Sequence, residues 1–267
     1  MDAKQFVKQM QTKLKSAGIE NSNEIYFLLD EILGVSRADL VALDSFSYAQ
    51  QKVINKAVNK RINGMSLQRI IGKSTFCGVT IKESRFTLTP RPETEYMTSL
   101  ILKENKGRVL DLCAGSGAIG LALAKSGFDV TLADISVKAI KSINANAKLN
   151  ELHVNIVKSN MFDKITGKFD IIVSNPPYIP TSECKTLSKD VLLNDPIIAL
   201  DGGLDGLDFY RVIADKACIY LNDFGVLYLE IGLHQEESVQ KLLEKHFKNI
   251  TIIKDLNGIN RIIRAEI

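Results

Sequence analysis

Tryptophan is absent and histidine occurs only three times, so a histidine-built zinc centre has little to draw on. The four cysteines, Cys77, Cys113, Cys184 and Cys218, lie far apart with no Cys-x-x-Cys pair. That spacing excludes a zinc-ribbon pattern and reads most simply as free thiols in a reducing compartment. No metal is expected. Neither sign of charge dominates, since 34 Lys and Arg against 31 Asp and Glu leave a formal +3. This excludes the footprint of a dedicated nucleic-acid groove, and no stable nucleic-acid complex is expected. No apolar run is long enough to span a bilayer. The start, Met1-Asp2-Ala3-Lys4-Gln5-Phe6, carries charge early and lacks the apolar centre of a signal peptide. A cytoplasmic monomer without a membrane partner is expected. Internal repeats and low-complexity stretches are missing as well.

What is present falls into two regimes. Up to residue 64 the apolar spacing is helical: Phe6, Val7, Met10 and Leu14, then Ile25, Leu28, Leu29 and Ile32, with Gly18 and Gly34 as stops. A short segment spans 36–43. A last helix from Tyr48 to Ile62 places Val53, Ala57, Val58 and Ile62 on one face, with Lys52, Lys56, Lys60 and Arg61 around it. Residues 1–64 therefore read as a small helical domain whose basic helix suits docking of a macromolecule. Residues 65–90 read as a linker with a β-hairpin, its strands Phe76–Ile81 and Arg85–Leu88. Pro92 suits a first helical position, and Glu93 and Glu95 suit the positive end of that helix, so capping alone explains them.

From Arg108 strands and helices alternate, giving a catalytic domain over 91–267. Strands are expected at 108–112, 129–134, 153–157, 169–174 and 225–231, then at 250–253 and 261–265. The alternation predicts an α/β fold with a parallel sheet and helices on both faces. Leu256-Asn257-Gly258 is too short for a crossover, so the last two strands must be antiparallel. A seven-stranded Rossmann-like sheet with a terminal antiparallel strand fits the class I S-adenosylmethionine-dependent methyltransferases.

Two stretches carry chemistry. After the first of these strands, Asp111-Leu112-Cys113-Ala114-Gly115-Ser116-Gly117 puts two glycines where backbone must approach a ligand. Asp134 ends the next strand, placed to accept hydrogen bonds from ribose hydroxyls. An adenosine-containing ligand follows. NAD and S-adenosylmethionine both remain open on the letters, with Asp-x-x-x-Gly-x-Gly favouring the latter. The second stretch is Asn175-Pro176-Pro177-Tyr178, which stops an apolar strand because proline neither donates nor continues a ladder. The Asn175 side-chain oxygen and the Pro176 carbonyl could grip the two hydrogens of an –NH2 group, with Tyr178 against the flat group carrying it. An ordinary Asn-Pro turn would leave the same letters.

Taken together, Arg91-Pro92-Glu93-Thr94-Glu95, the 111–117 loop, Asp134 and Ser174–Pro180 resemble the HemK/PrmC family of peptide chain release factor glutamine N5-methyltransferases. The likeness extends through Asp195-Pro196, Ala199–Gly203, Asp205–Arg211 and Asp255–Arg261. It implies S-adenosylmethionine as cofactor, S-adenosylhomocysteine as product and class I release factors as partners, with methyl transfer to the glutamine of a Gly-Gly-Gln segment. It further implies catalytic Asn175, Pro176 and Tyr178, and a substrate grip completed by Pro177. Cofactor contacts are implied for Asp111, Cys113, Ala114, Gly115, Ser116, Gly117, Asp134, Asn160, Met161 and Asn175. Cys113 stands where the family usually has glycine, Asn160 where an acid is common and Met161 where an aromatic is common. Ser66 and Arg69 replace a common Pro and Tyr. The alternatives are a ribosomal-protein glutamine methyltransferase, an adenine-N6 nucleic-acid methyltransferase sharing Asn-Pro-Pro-Tyr, and a non-catalytic cofactor-binding adaptor.

Overall fold

The computed structural model describes residues 2–267, excepting the side chains of residues 189 and 190. Met1, where the expected helical domain begins, lies outside the described residues. In chain order the elements are α1 (Ala3–Ser16), α2 (Glu24–Leu33), α3 (Tyr48–Ile62), α4 (Leu67–Ile71), β1 (Lys73–Phe76), β2 (Val79–Lys82), α5 (Pro92–Ile101), β3 (Arg108–Leu112), α6 (Ala118–Lys125), β4 (Asp129–Asp134), α7 (Val137–Leu149), β5 (Asn155–Lys158) and β6 (Phe169–Ser174). There follow α8 (Thr181–Cys184), α9 (Lys189–Asn194), α10 (Asp208–Tyr220), β7 (Leu221–Glu230), α11 (Glu236–Leu243), β8 (Lys248–Lys254) and β9 (Asn260–Glu266). The chain divides into two compact units, 1–73 with 188–194, and 74–187 with 195–267.

The first unit is helical. Phe6, Met10, Leu14, Ile25, Leu28, Leu29 and Ile54 form its core, each essentially buried. Gly34 ends α2 in the left-handed conformation at φ 66°, as its position after Leu33 predicts. On α3 the buried face is Ile54, Ala57 and Val58, while Val53 is 46% exposed. Of the expected face, Ala57 and Val58 are buried and Ile62 packs on the same core, but Ile54, which falls between 57 and 58 around the helix, takes the place given to Val53. Arg61 is held by Glu24 at 2.7 Å, leaving the lysines as the exposed cations of that helix. Residues beyond 64 continue this unit: Ser66 caps α4, and Asn194 accepts from the Ser66 N–H and donates to the Gly64 carbonyl. From their letters alone these residues belong to the linker expected at 65–90.

The expected hairpin is shifted. Cys77 and Gly78 both take positive φ, 42° and 80°, so the chain turns there and β1 pairs β2. Residues 85–88 form no strand; Ser84–Thr87 is a turn closed by the Thr87 N–H on the Ser84 carbonyl.

In the second unit seven strands run in the order β5-β4-β3-β6-β7-β9-β8. The ladders from β5 through β7 are parallel; β9 alone runs against its neighbours, inserted between β7 and β8. Successive residues alternate between two cores. Val109, Val130, Leu132, Ile171 and Val173 meet α5, α6 and α7 on one face. Leu110, Leu112, Ile172, Leu227 and Leu229 meet α10 and α11 on the other. A sheet buried on both faces needs such apolar strands. Order reverses between β3 and β6, so the loops leaving those two strands diverge and open a crevice at their carboxyl ends.

Candidate active site

That crevice holds a cavity of about 220 Å³. Leu112 pairs with Ser174 across β3 and β6, so Cys113 and Asn175 leave the sheet side by side. Ser174 Oγ ties the two strand ends by donating to the Leu112 carbonyl at 2.8 Å. Of the residues singled out above, Cys113, Ala114, Gly115, Ser116, Asp134, Asn160, Met161, Asn175 and Pro177 line the cavity. Asp111, Gly117, Pro176 and Tyr178 do not.

The glycine turn is built by hydrogen bonds. Asp134, at the end of β4, accepts the Gly115 N–H at 2.9 Å through one oxygen and the Ser136 N–H at 2.8 Å through the other. Burial holds this carboxyl above its ordinary range, opposed by those backbone bonds. Each oxygen retains a lone pair, which suits a vicinal diol. Cys113 stands at φ 59° and Met161 at φ 46°, with Sγ and Sδ 3.7 Å apart. A side-chain carbon added to Gly115 would meet only the Cys113 carbonyl, at 3.9 Å, so nothing in the protein crowds the backbone at that point of the cavity wall. Asp111 lies beneath, fully buried: one oxygen accepts the Gly120 N–H at 2.9 Å, and the other has no protein partner. Burial pushes it up to about 7, against the lowering effect of that bond.

The second half of the site is the 175–178 turn. Asn175 Nδ2 donates to Thr94 Oγ1 at 3.1 Å, and that hydroxyl donates to Glu230 Oε2 at 2.5 Å. Thr94 lies within a quoted segment, but its link to Asn175 and Glu230 leaves no local sign, since the two bonds span 81 and 136 residues. Tyr178 packs instead into the α10/α11 core, and its carbonyl accepts from Gln235 at 2.9 Å. Burial pushes its phenol up to about 12. The segment 200–203 braces this turn: the Ile179 N–H donates to Leu200, and the Gly202 N–H to Ile179. Other walls unforeseen from sequence are Phe86, Leu88, Ile198 and Phe209. Phe209 lay within a quoted segment, but nothing local marked it as a wall.

An open glycine turn, an acid with spare acceptors ending the neighbouring strand and an oriented amide ending β6 fit a nucleoside bearing a sulfonium chain. This fold and site define a class I S-adenosylmethionine-dependent methyltransferase. A methyltransferase small domain model matches residues 92–262, and a PrmC N-terminal domain model matches residues 5–72. The release factor glutamine methyltransferase of Streptococcus pneumoniae is 45% identical over 203 residues, covering 73% of each chain. That of Agrobacterium fabrum is 36% identical over 270 residues, covering 94% of this chain and 92% of its own. Among solved structures, a methyltransferase from Pyrococcus furiosus shares the fold at 17% identity and a TM-score of 0.56, over 79% of this chain and 98% of its own. The chain belongs to the release factor glutamine methyltransferase family. Among the described residues no helix is long and apolar enough to cross a membrane.

Proposed function

We propose that this protein transfers the methyl group of S-adenosylmethionine to the side-chain amide nitrogen of the glutamine in the Gly-Gly-Gln segment of class I release factors. The observation that carries the reading is the Asn175 amide beside the glycine turn, its nitrogen tied to Thr94 so that its oxygen is left for a ligand. When bound, the cofactor supplies a methyl group on a positively charged sulfur. Among the residues lining the cavity, Asp134 would hold the ribose hydroxyls and Asn160 the adenine amino group, with Met161 and Ile135 as apolar walls for the base. The backbone of 113–117 carries the remaining chain.

A glutamine amide nitrogen is a poor nucleophile, because its lone pair is delocalised into the carbonyl. Orientation is therefore what the protein must supply. Asn175 Oδ1 and the Pro176 carbonyl accept the two N–H bonds and fix the amide plane. The apolar walls, Leu88 and Phe209 among them, exclude water. Pro177 walls the cavity beside the amide. Tyr178 has its ring in the core and supports the turn rather than stacking on the substrate. The helical unit, with its exposed lysines on α3, docks the release factor.

The test is transfer from methyl-labelled S-adenosylmethionine to a class I release factor, to a ribosomal-protein fraction and to DNA in separate reactions. Label on the Gly-Gly-Gln glutamine, mapped by mass spectrometry, is the expected result. Label on ribosomal protein or on DNA adenine alone reassigns the substrate.

A further inference from the structure

Asn175 accepts a substrate hydrogen bond only if its amide keeps one of two orientations of similar shape. What holds that orientation lies behind it. Thr94 has one hydroxyl hydrogen, and Glu230, only 3% exposed, takes it. An ionised carboxylate can only accept. Thr94 must then donate to Glu230 and accept from Asn175, which turns the Asn175 nitrogen inward and its oxygen outward. The Asn175 amide also adds a hydrogen bond that favours the charged carboxylate. We propose that Thr94 and Glu230 are positioning residues for methyl transfer, with ionised Glu230 setting the direction of the hydrogen-bond chain that aims the Asn175 oxygen at the substrate nitrogen. The proposal rests on the reading of Asn175 as the substrate grip.

A proton on Glu230 reverses the chain. The carboxylic acid donates to Thr94, the Thr94 hydroxyl turns to donate towards Asn175, and the flipped amide is then the better partner. Its –NH2 would face the substrate –NH2, donor against donor. Thr94 on α5 bonds the carboxyl directly, and the charged or titratable groups whose fields act on it are Glu93 on α5, Arg261 on β9, Tyr178 after β6 and Tyr210 on α10. The Tyr210 hydroxyl donates to the Glu230 backbone carbonyl at 2.9 Å. Burial pushes Glu230 up to about 7; Thr94, Arg261 and Asn175 favour its charged form, and Glu93 opposes it. Both phenols are raised by burial and stay protonated throughout. Transfer needs the ionised form, so kcat is lost as pH falls through the Glu230 pKa.

The experiment measures kcat and KM on the release factor at saturating cofactor, from about pH 5.5 to about pH 9, in wild type, E230Q, T94V and T94S. Wild-type kcat should fall about tenfold per pH unit below a bend near the Glu230 pKa, and E230Q should be slower with that limb gone. T94V should lose roughly 10- to 100-fold in kcat with KM and cofactor Kd little changed, and T94S should restore the rate. If T94V fails to melt cooperatively, the wild-type and E230Q profiles with T94S decide. An acid limb that persists in E230Q, or wild-type kcat in folded T94V, overturns the relay alone. Transfer retained by Asn175→Ala overturns it together with the reading beneath it.

Discussion

Asn175 and Cys113 leave adjacent strands, yet the backbone constrains them differently. Asn175 needs its functional group, so Asn175→Ala should lower kcat by about 100-fold or more, the scale of losing one preorganised polar group. Cofactor Kd, read by calorimetry, should move little, because the glycine turn and Asp134 remain. Unchanged kcat with weakened cofactor binding would contradict this. Cys113 stands at φ 59°, where a side-chain carbon crowds the following carbonyl. An L-residue there costs roughly 1–2 kcal/mol, and glycine is free of that penalty. Cys113→Gly should therefore raise the urea midpoint modestly and leave cofactor binding within about threefold, since the thiol contributes a soft contact to Met161. Cys113→Val, β-branched at positive φ, should do the reverse and encroach on the cavity.

At the scale of elements, the 175–178 turn depends on the segment that follows it. A side-chain carbon on Gly202 would sit 2.7 Å from Tyr178 Cα and 2.8 Å from the Pro177 carbonyl, both backbone atoms that cannot swing away. Gly202→Ala should displace the turn, lowering kcat at least about tenfold and costing about 1–3 kcal/mol. Gly258 sits at φ 79° with nothing within 4 Å, so Gly258→Ala should cost only its conformational penalty and leave kcat intact. Equal effects in an assay of kcat and urea midpoint would refute the bracing role. The same contrast explains what the sequence discloses. Strands β3, β4, β6 and β7 are read from local apolar runs, and Asn175 from its prolines, because these signals lie within a few residues. The insertion of β9 between β7 and β8, the Gly202 contact and the Thr94–Glu230 link join residues far apart in the chain. The hairpin is a local miss: cysteine is not among the usual turn letters, so Cys77 at φ 42° beside Gly78 reads as continuous strand.

For the molecule as a whole, carboxyls gathered at one end of the sheet oppose folding. Asp111 and Glu230 are each pushed up to about 7 and Asp134 is raised too, with burial the leading cause in all three. A folded-state pKa above the unfolded value means that the folded chain holds more protons in the window between them. Stability is then greatest below the unfolded pKa, near 4 for a carboxyl, falls as pH rises towards 7, and is flat above. Asp201, Asp205 and Glu266, none of them buried, are lowered instead, by hydrogen bonds from Thr181, Arg211 and Arg264, so they act with opposite sign at the acid end. The destabilising group is useful: Asp134 lines the cavity with Asp111 and Glu230 buried behind its wall, negative charge there suits a cationic ligand, and stability spent there is recovered when the cation binds. Asp111→Asn keeps an acceptor for the Gly120 N–H and removes the charge. Urea unfolding at stepped pH should show Asp111→Asn more stable than wild type at about pH 8 and close to it near pH 5, with a shallower slope between. Cofactor should add less stability to the variant at the higher pH. A variant that loses stability equally at both pH values would mean that Asp111 holds the loop as a charged acceptor, rather than waiting there as an unpaired charge.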